Sequence, residues 1–135
     1  MKRIAFLSLV LALVIGLSGA AGTLFAHHGR QGTYDAEKEM TLKGVVTELS
    51  WRNPHVVIYM DVKDPSGKAV NWAFESSNVS TMSRDGWSRN SLKTGQEIAV
   101  TFNPSRAGAP IGVVRKVTFA DGKTIGSQGS ANTID

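Results

Sequence analysis

Short runs of alternating apolar and polar residues, separated by turn signals, fill the chain from residue 40 to residue 123. In the clearest run, from His55 to Val62, four apolar side chains fall on one face of a strand: Val56, Ile58, Met60 and Val62. The chain contains no cysteine, which excludes disulfides, thiolate metal sites and cysteine nucleophiles. The pattern therefore predicts an all-β domain that is held together by its core alone.

The order of the elements favours a barrel over other all-β folds. Strands are predicted at 40–51, 55–62, 69–75, 97–102 and 113–119, and Gly44 is expected to mark a bulge in the first of them. A short helix, capped by Ser77 or Asn78 and ending near Gly86, is predicted between the third and fourth strands. This order is typical of a small five- to six-stranded barrel of the oligonucleotide/oligosaccharide-binding (OB) type, with a small β-sandwich as the alternative. The predicted core comprises Val56, Ile58, Met60, Val70, Trp72, Phe74, Ile98, Val100, Val113, Val117 and Phe119.

The first 26 residues follow a different pattern. Lys2 and Arg3 form a basic start, residues 4–17 are almost entirely apolar, and small residues follow. This layout is typical of a secretory signal peptide, and its apolar core is short for a membrane anchor. Cleavage is expected after Ala20 or after Ala26. The predicted segments are a signal peptide at 1–26, an N-terminal segment at 27–39, the barrel at 40–126 and a disordered tail at 127–135.

Charge excludes one class of partner. The chain carries 15 Lys and Arg against 11 Asp and Glu, a net charge of +4. Two of the positive residues, Lys2 and Arg3, belong to the predicted signal, and the others are scattered among acids. Nucleic-acid binding needs a basic stripe or patch, so we expect no nucleic-acid partner. We expect a periplasmic or secreted protein that is free of the membrane after cleavage.

The three histidines fall at two informative places. His27 and His28 directly follow the second cleavage position, and His55 follows Asn53-Pro54 at the start of the second strand. Cleavage after Ala26 gives His27 a free α-amine, so this residue can chelate a metal ion through its amine and one ring nitrogen. With His55 or His28 added, the site is all nitrogen, which suits Cu(II), with Zn(II) and Ni(II) also suited. The alternative is a solvated histidine tail, with His55 closing a strand end.

Two tryptophans outside the predicted core offer a second kind of site. Trp51 and Trp87 can each stack on a ligand or cover an end of the barrel. The polar side chains predicted to contribute to such a ligand site are Asn53, Arg84 and Arg89.

The carboxylates give no catalytic pattern. No two of them are spaced convincingly for acid–base work, and no nucleophile elbow, phosphate loop or dinucleotide fingerprint is present. Glu75 is expected to form a salt bridge with Arg84 or Arg89. We therefore predict no catalytic residues.

Several short motifs together resemble a known family. In order they are Ala26-His27-His28-Gly29, Thr41 to Val46, Trp51-Arg52-Asn53-Pro54-His55, Asn71 to Glu75, Arg84-Asp85-Gly86-Trp87 and Leu92 to Gln96. This combination resembles a family of small exported proteobacterial proteins of unknown function, over roughly Ala26 to Lys123. Members typically read Ala-His-His-Ser, whereas this chain has Gly29 in place of the serine. The resemblance implies export and cleavage before His27, and it implies no activity.

The leading hypothesis is a non-enzymatic exported binding module with a Cu or Zn site at its new N-terminus. The alternative is an OB-like module that binds a glycan, peptide or protein partner through Trp51 and Trp87. A copper-dependent oxidase is a third hypothesis. The short chain counts against it, because it leaves little room for a surface that binds a large substrate.

Overall fold

A computed structural model describes residues 32–126 of the chain. The predicted signal peptide, His27, His28 and the predicted tail lie outside the described residues. The elements, in order, are β1 (Met40–Ser50), β2 (Val57–Lys63), β3 (Ala69–Glu75), α1 (Val79–Arg84), β4 (Glu97–Pro104), β5 (Ile111–Phe119) and β6 (Thr124–Gly126).

The sheet closes on itself as a five-stranded barrel. Its strands follow the order β3-β2-β1-β4-β5, with β6 added to β5, and all of these neighbours are antiparallel. A parallel pairing of β3 with β5, through Ala73–Ile111 and Glu75–Val113, completes the ring. This connectivity, with α1 between β3 and β4, confirms the predicted OB-like barrel. A sandwich would leave two separate sheets, so the closure excludes that alternative.

The core fills the inside of the barrel and continues beneath α1. Phe74 and Phe102 meet edge to face at 4.8 Å between ring centroids, and the Trp72 ring stacks on Phe74 at 5.8 Å. The buried apolar residues are Val46, Val56, Ile58, Met60, Val62, Phe74, Met82, Trp87, Leu92, Ile98, Val100, Phe102, Val114 and Val117. Trp72 and Phe119 are partly buried against this cluster. The inward face predicted for β2 is thus confirmed.

The core position predicted at Val113 in β5 is wrong. Val114 is buried in place of Val113, whereas Val117 is buried as predicted. The β4–β5 register shifts there, since Thr101 pairs with Lys116 and Phe102 pairs with Val114. The extra residue in β5 reverses the order of inward and outward side chains. Residues that point inward before the shift are therefore out of step with those that point inward after it.

The β4 strand is longer than predicted. It runs to Pro104, and residues Thr101 to Ser105 are all buried. The Asn103 side chain donates a hydrogen bond to the Lys38 carbonyl at 2.8 Å. Contacts with the N-terminal segment therefore hold in the sheet two residues beyond the predicted end of the strand at residue 102.

The α1 helix has the ends that its sequence predicts. The Asn78 side chain accepts a hydrogen bond from the Thr81 amide at 2.9 Å, which caps the N-terminus. At the other end Gly86 has a φ of +87°, and the Trp87 amide donates to the Met82 carbonyl at 2.9 Å. These are features of a Schellman motif, which ends the helix and turns Trp87 into the core.

Gly44 does not form the predicted bulge. The register shift in β1 lies between Val46 and Glu48, where β1 pairs with β2. Gly44 instead sits where β2 comes close: a Cβ there would clash with the Asp61 carbonyl oxygen and lie 2.9 Å from Met60 Cγ. Glycine is required at this position because another backbone approaches it.

We expect Gly44→Ala to lower the free energy of unfolding by about 1–3 kcal/mol, the usual effect of overpacking. The clash is with a backbone carbonyl, which cannot rotate away as a side chain can. Urea denaturation measures the effect, and Lys43→Ala, at an exposed neighbour in the same strand, should change it by less than about 0.5 kcal/mol. Equal stability of the two variants would contradict the close approach.

Candidate functional site

His55 lies at the end of the barrel where β2 begins and β3 ends. The backbone directly after it is fixed, since the Val56 amide donates to the Ser77 carbonyl at 2.9 Å and the Ser76 amide donates to the Val56 carbonyl at 2.8 Å. His55 is 38% exposed at its side chain. The ring therefore lies directly before a hydrogen-bonded stretch of backbone and is partly exposed to solvent.

Glu75 is the partner of this ring. Its Oε1 atom pairs with Nδ1 of His55, and its side chain is 23% exposed. Glu75 stands opposite Val57 in the β2–β3 register, so His55 is its diagonal neighbour two residues earlier. The predicted salt bridge from Glu75 to Arg84 or Arg89 is thus replaced by a contact with His55.

Tyr34 joins the N-terminal segment to the same carboxylate. Its hydroxyl donates a hydrogen bond to Oε2 of Glu75 at 2.8 Å. The two oxygens of Glu75 therefore contact two different parts of the chain, and they link Tyr34 to His55 through one side chain.

The backbone around Tyr34 is docked on the end of β4. Tyr34 forms a bridge with Ser105, and the Asp35 amide donates to the Pro104 carbonyl at 2.9 Å. The Arg106 amide donates to the Thr33 carbonyl at 2.9 Å, and its Nε donates to the Tyr34 carbonyl at 3.1 Å. Residues 33–35 are thus fixed to the end of β4, with the Tyr34 hydroxyl on the carboxylate that contacts His55.

The arrangement has a definite chemical consequence for the imidazole. An ionised carboxylate can only accept hydrogen bonds, so Nδ1 of a neutral His55 carries the hydrogen that Glu75 accepts. Its Nε2 then presents a lone pair. A histidine that donates one ring N–H to a carboxylate is the usual form of a metal-ligating histidine.

The described residues form no complete metal site by themselves. Among them, no three His, Cys, Asp or Glu side chains come close enough to hold a metal ion. His55 is the one predicted ligand in this part of the chain, because His27 and His28 lie outside it.

The residues predicted for a ligand-stacking site are dispersed. Trp87 is 2% exposed and its indole N–H donates to the Gly126 carbonyl at 3.2 Å, so its ring covers the barrel. Trp51 packs partly buried against the core. The Asn53 side chain accepts a hydrogen bond from the Val79 amide at 3.1 Å and so ties its loop to α1.

The two predicted arginines stay at the surface. Arg84 is exposed and donates to the Thr81 hydroxyl at 3.3 Å, and Arg89 is exposed. Only the partly buried ring of Trp51 is left to support the stacking alternative.

A surface groove of about 690 Å³ lies elsewhere on the barrel. Its lining includes Lys43, Val45, Asp61, Lys63 and Glu97, and it contains none of the predicted site residues. Within residues 32–126, no helix is long and apolar enough to cross a membrane.

Comparison with protein families gives a match over residues 14–116 of the chain, to a family of unknown function, DUF6152. The chain belongs to this family. The matched range includes all three histidines, Tyr34 and Glu75. The predicted resemblance to a family of unknown function is thus confirmed. Comparison with curated proteins and with solved structures finds no significant match.

Proposed function

We propose that this protein is a non-enzymatic, exported binding module in which His55 and the N-terminal histidines hold Cu(II) or Zn(II). The ligands are the amine and ring of His27 and Nε2 of His55, with His28 as a further candidate. An all-nitrogen set of this kind suits these metals.

The observation that carries the proposal is the contact of Tyr34 with Glu75 and of Glu75 with His55. It supports the proposal because it links Tyr34, which follows His27 by seven residues, to the His55 ring through one carboxylate. Only seven peptide steps separate His27 from Tyr34, and they can span at most about 23 Å at about 3.3 Å each. The new N-terminus is therefore within reach of His55 after cleavage at Ala26.

The hydrogen bond from the second ring nitrogen of His55 also supports the proposal. Ligating histidines almost always donate their second ring N–H to a carboxylate, a carbonyl or water. Glu75 supplies a carboxylate at Nδ1 of His55, the ring nitrogen that remains when Nε2 is the metal ligand.

The N-terminus of the exported protein is the first test. We expect its intact mass to correspond to a chain that begins at His27, because cleavage after Ala26 is what frees the histidine amine. Mass spectrometry of protein recovered from the exported fraction measures this directly. A chain that begins at Ala21, or one that retains Met1, would contradict the amine-based site.

A further inference from the structure

We propose that Glu75 is a positioning residue that sets the tautomer of His55, so that Nε2 is the ring atom offered to a metal ion. The use of that atom for a metal rests on the proposed function. The tautomer itself rests only on described residues.

The position of the Glu75 carboxylate is determined from two sides. Glu75 is the last residue of β3, where it pairs with Val57 of β2 and Val113 of β5. Its Oε2 accepts the Tyr34 hydroxyl at 2.8 Å, which leaves Oε1 directed at the His55 ring. Backbone pairing and the tyrosine thus place the acceptor before any ligand arrives.

A fixed acceptor selects one tautomer. Neutral imidazole carries its hydrogen on either Nδ1 or Nε2, and the hydrogen bond at one nitrogen decides which. A carboxylate at Nδ1 places the hydrogen there and leaves a lone pair on Nε2.

This assignment predicts a result that needs no metal. In metal-free protein at about pH 8, where imidazole is ordinarily neutral, nitrogen NMR should show the His55 hydrogen on Nδ1. Glu75→Ala should convert the ring to a mixture of both tautomers. Glu97→Ala removes an exposed carboxylate at the start of β4 and should leave the His55 signals unchanged.

The conservative variant Glu75→Gln separates the effect of Glu75 on the His55 tautomer from its effect on the stability of the fold. In Glu75→Gln the amide oxygen still accepts a hydrogen bond, so this variant should retain the Nδ1–H tautomer that Glu75→Ala loses. If Glu75→Ala does not fold, Tyr34→Phe provides the second perturbation. It removes the hydroxyl that donates to Oε2 and should reduce the tautomer preference without removing the carboxylate.

Copper titration then links the tautomer to binding. With Cu(II) as the probe, Glu75→Ala should weaken binding about tenfold, at the lower end of the effect of losing such an outer contact. A hydrogen on Nε2 in the unmodified protein, or a tautomer unaffected by both Glu75→Ala and Tyr34→Phe, would overturn the assignment. If the tautomer behaves as expected but the unmodified protein binds no copper, the proposed function fails and the role of Glu75 stands.

Discussion

Replacing Phe74 with alanine is expected to lower the free energy of unfolding by about 3–5 kcal/mol, as for other buried aromatics. Phe74 has no exposed surface, and its ring contacts both Trp72 and Phe102, which also contact each other. The truncation removes both ring contacts and leaves a cavity that a closed barrel cannot collapse to fill. Typical domains have only about 5–15 kcal/mol of stability, so much of it would be lost.

Chemical denaturation measures this loss against two other variants. Val45→Ala removes apolar atoms at a position that is 37% exposed and should cost less than about 0.5 kcal/mol. Trp72→Ala should fall between the two, because its indole packs on Phe74 but is only partly buried. A loss below about 1 kcal/mol for Phe74→Ala would contradict its place at the centre of the core.

The strands and turns of this barrel could be predicted because their signals are local. Alternation in β2 places Ile58 and Met60 inward, and the structure buries both completely. The turn after β2 is equally local: Asp64 accepts hydrogen bonds from Ser66 and Lys68, and Gly67 has a φ of +85°. The hydrogen bond from the Ser66 side chain holds the pKa of Asp64 below its ordinary value.

The errors arose where one strand depends on another. The bulge in β5 moves the core position from Val113 to Val114, and nothing within β5 itself signals it. The need for glycine at position 44 comes from the approach of Asp61, which is distant in sequence. Properties set by strand register or by the packing of remote strands are not contained in a local pattern.

The candidate site was predicted in part. The sequence points to His55 by its position at a strand start, but the partner that it predicts for Glu75, Arg84 or Arg89, is wrong. The antiparallel register that places Glu75 opposite Val57 could have indicated His55, two residues earlier on the same outward face. Tyr34 had no sequence signal, since its role depends on how the N-terminal segment docks on β4.

The proposed function requires that His55 and the processed N-terminus bind one metal ion together. Losing a ligand nitrogen should cost more than losing the carboxylate that orients it, so His55→Ala should weaken Cu(II) binding a hundredfold or more, about 2.8 kcal/mol. A flexible histidine tail also binds some copper, so the comparison between variants is what discriminates the two models.

The deciding measurement is a Cu(II) titration of the protein that begins at His27, beside its His55→Ala variant, by calorimetry and electron paramagnetic resonance. Denaturation of both without metal should first show that the variant is folded. A shared site predicts the hundredfold loss together with a spectrum that reports one nitrogen ligand fewer. An unchanged affinity and spectrum would contradict it and would reduce His27 and His28 to a tail.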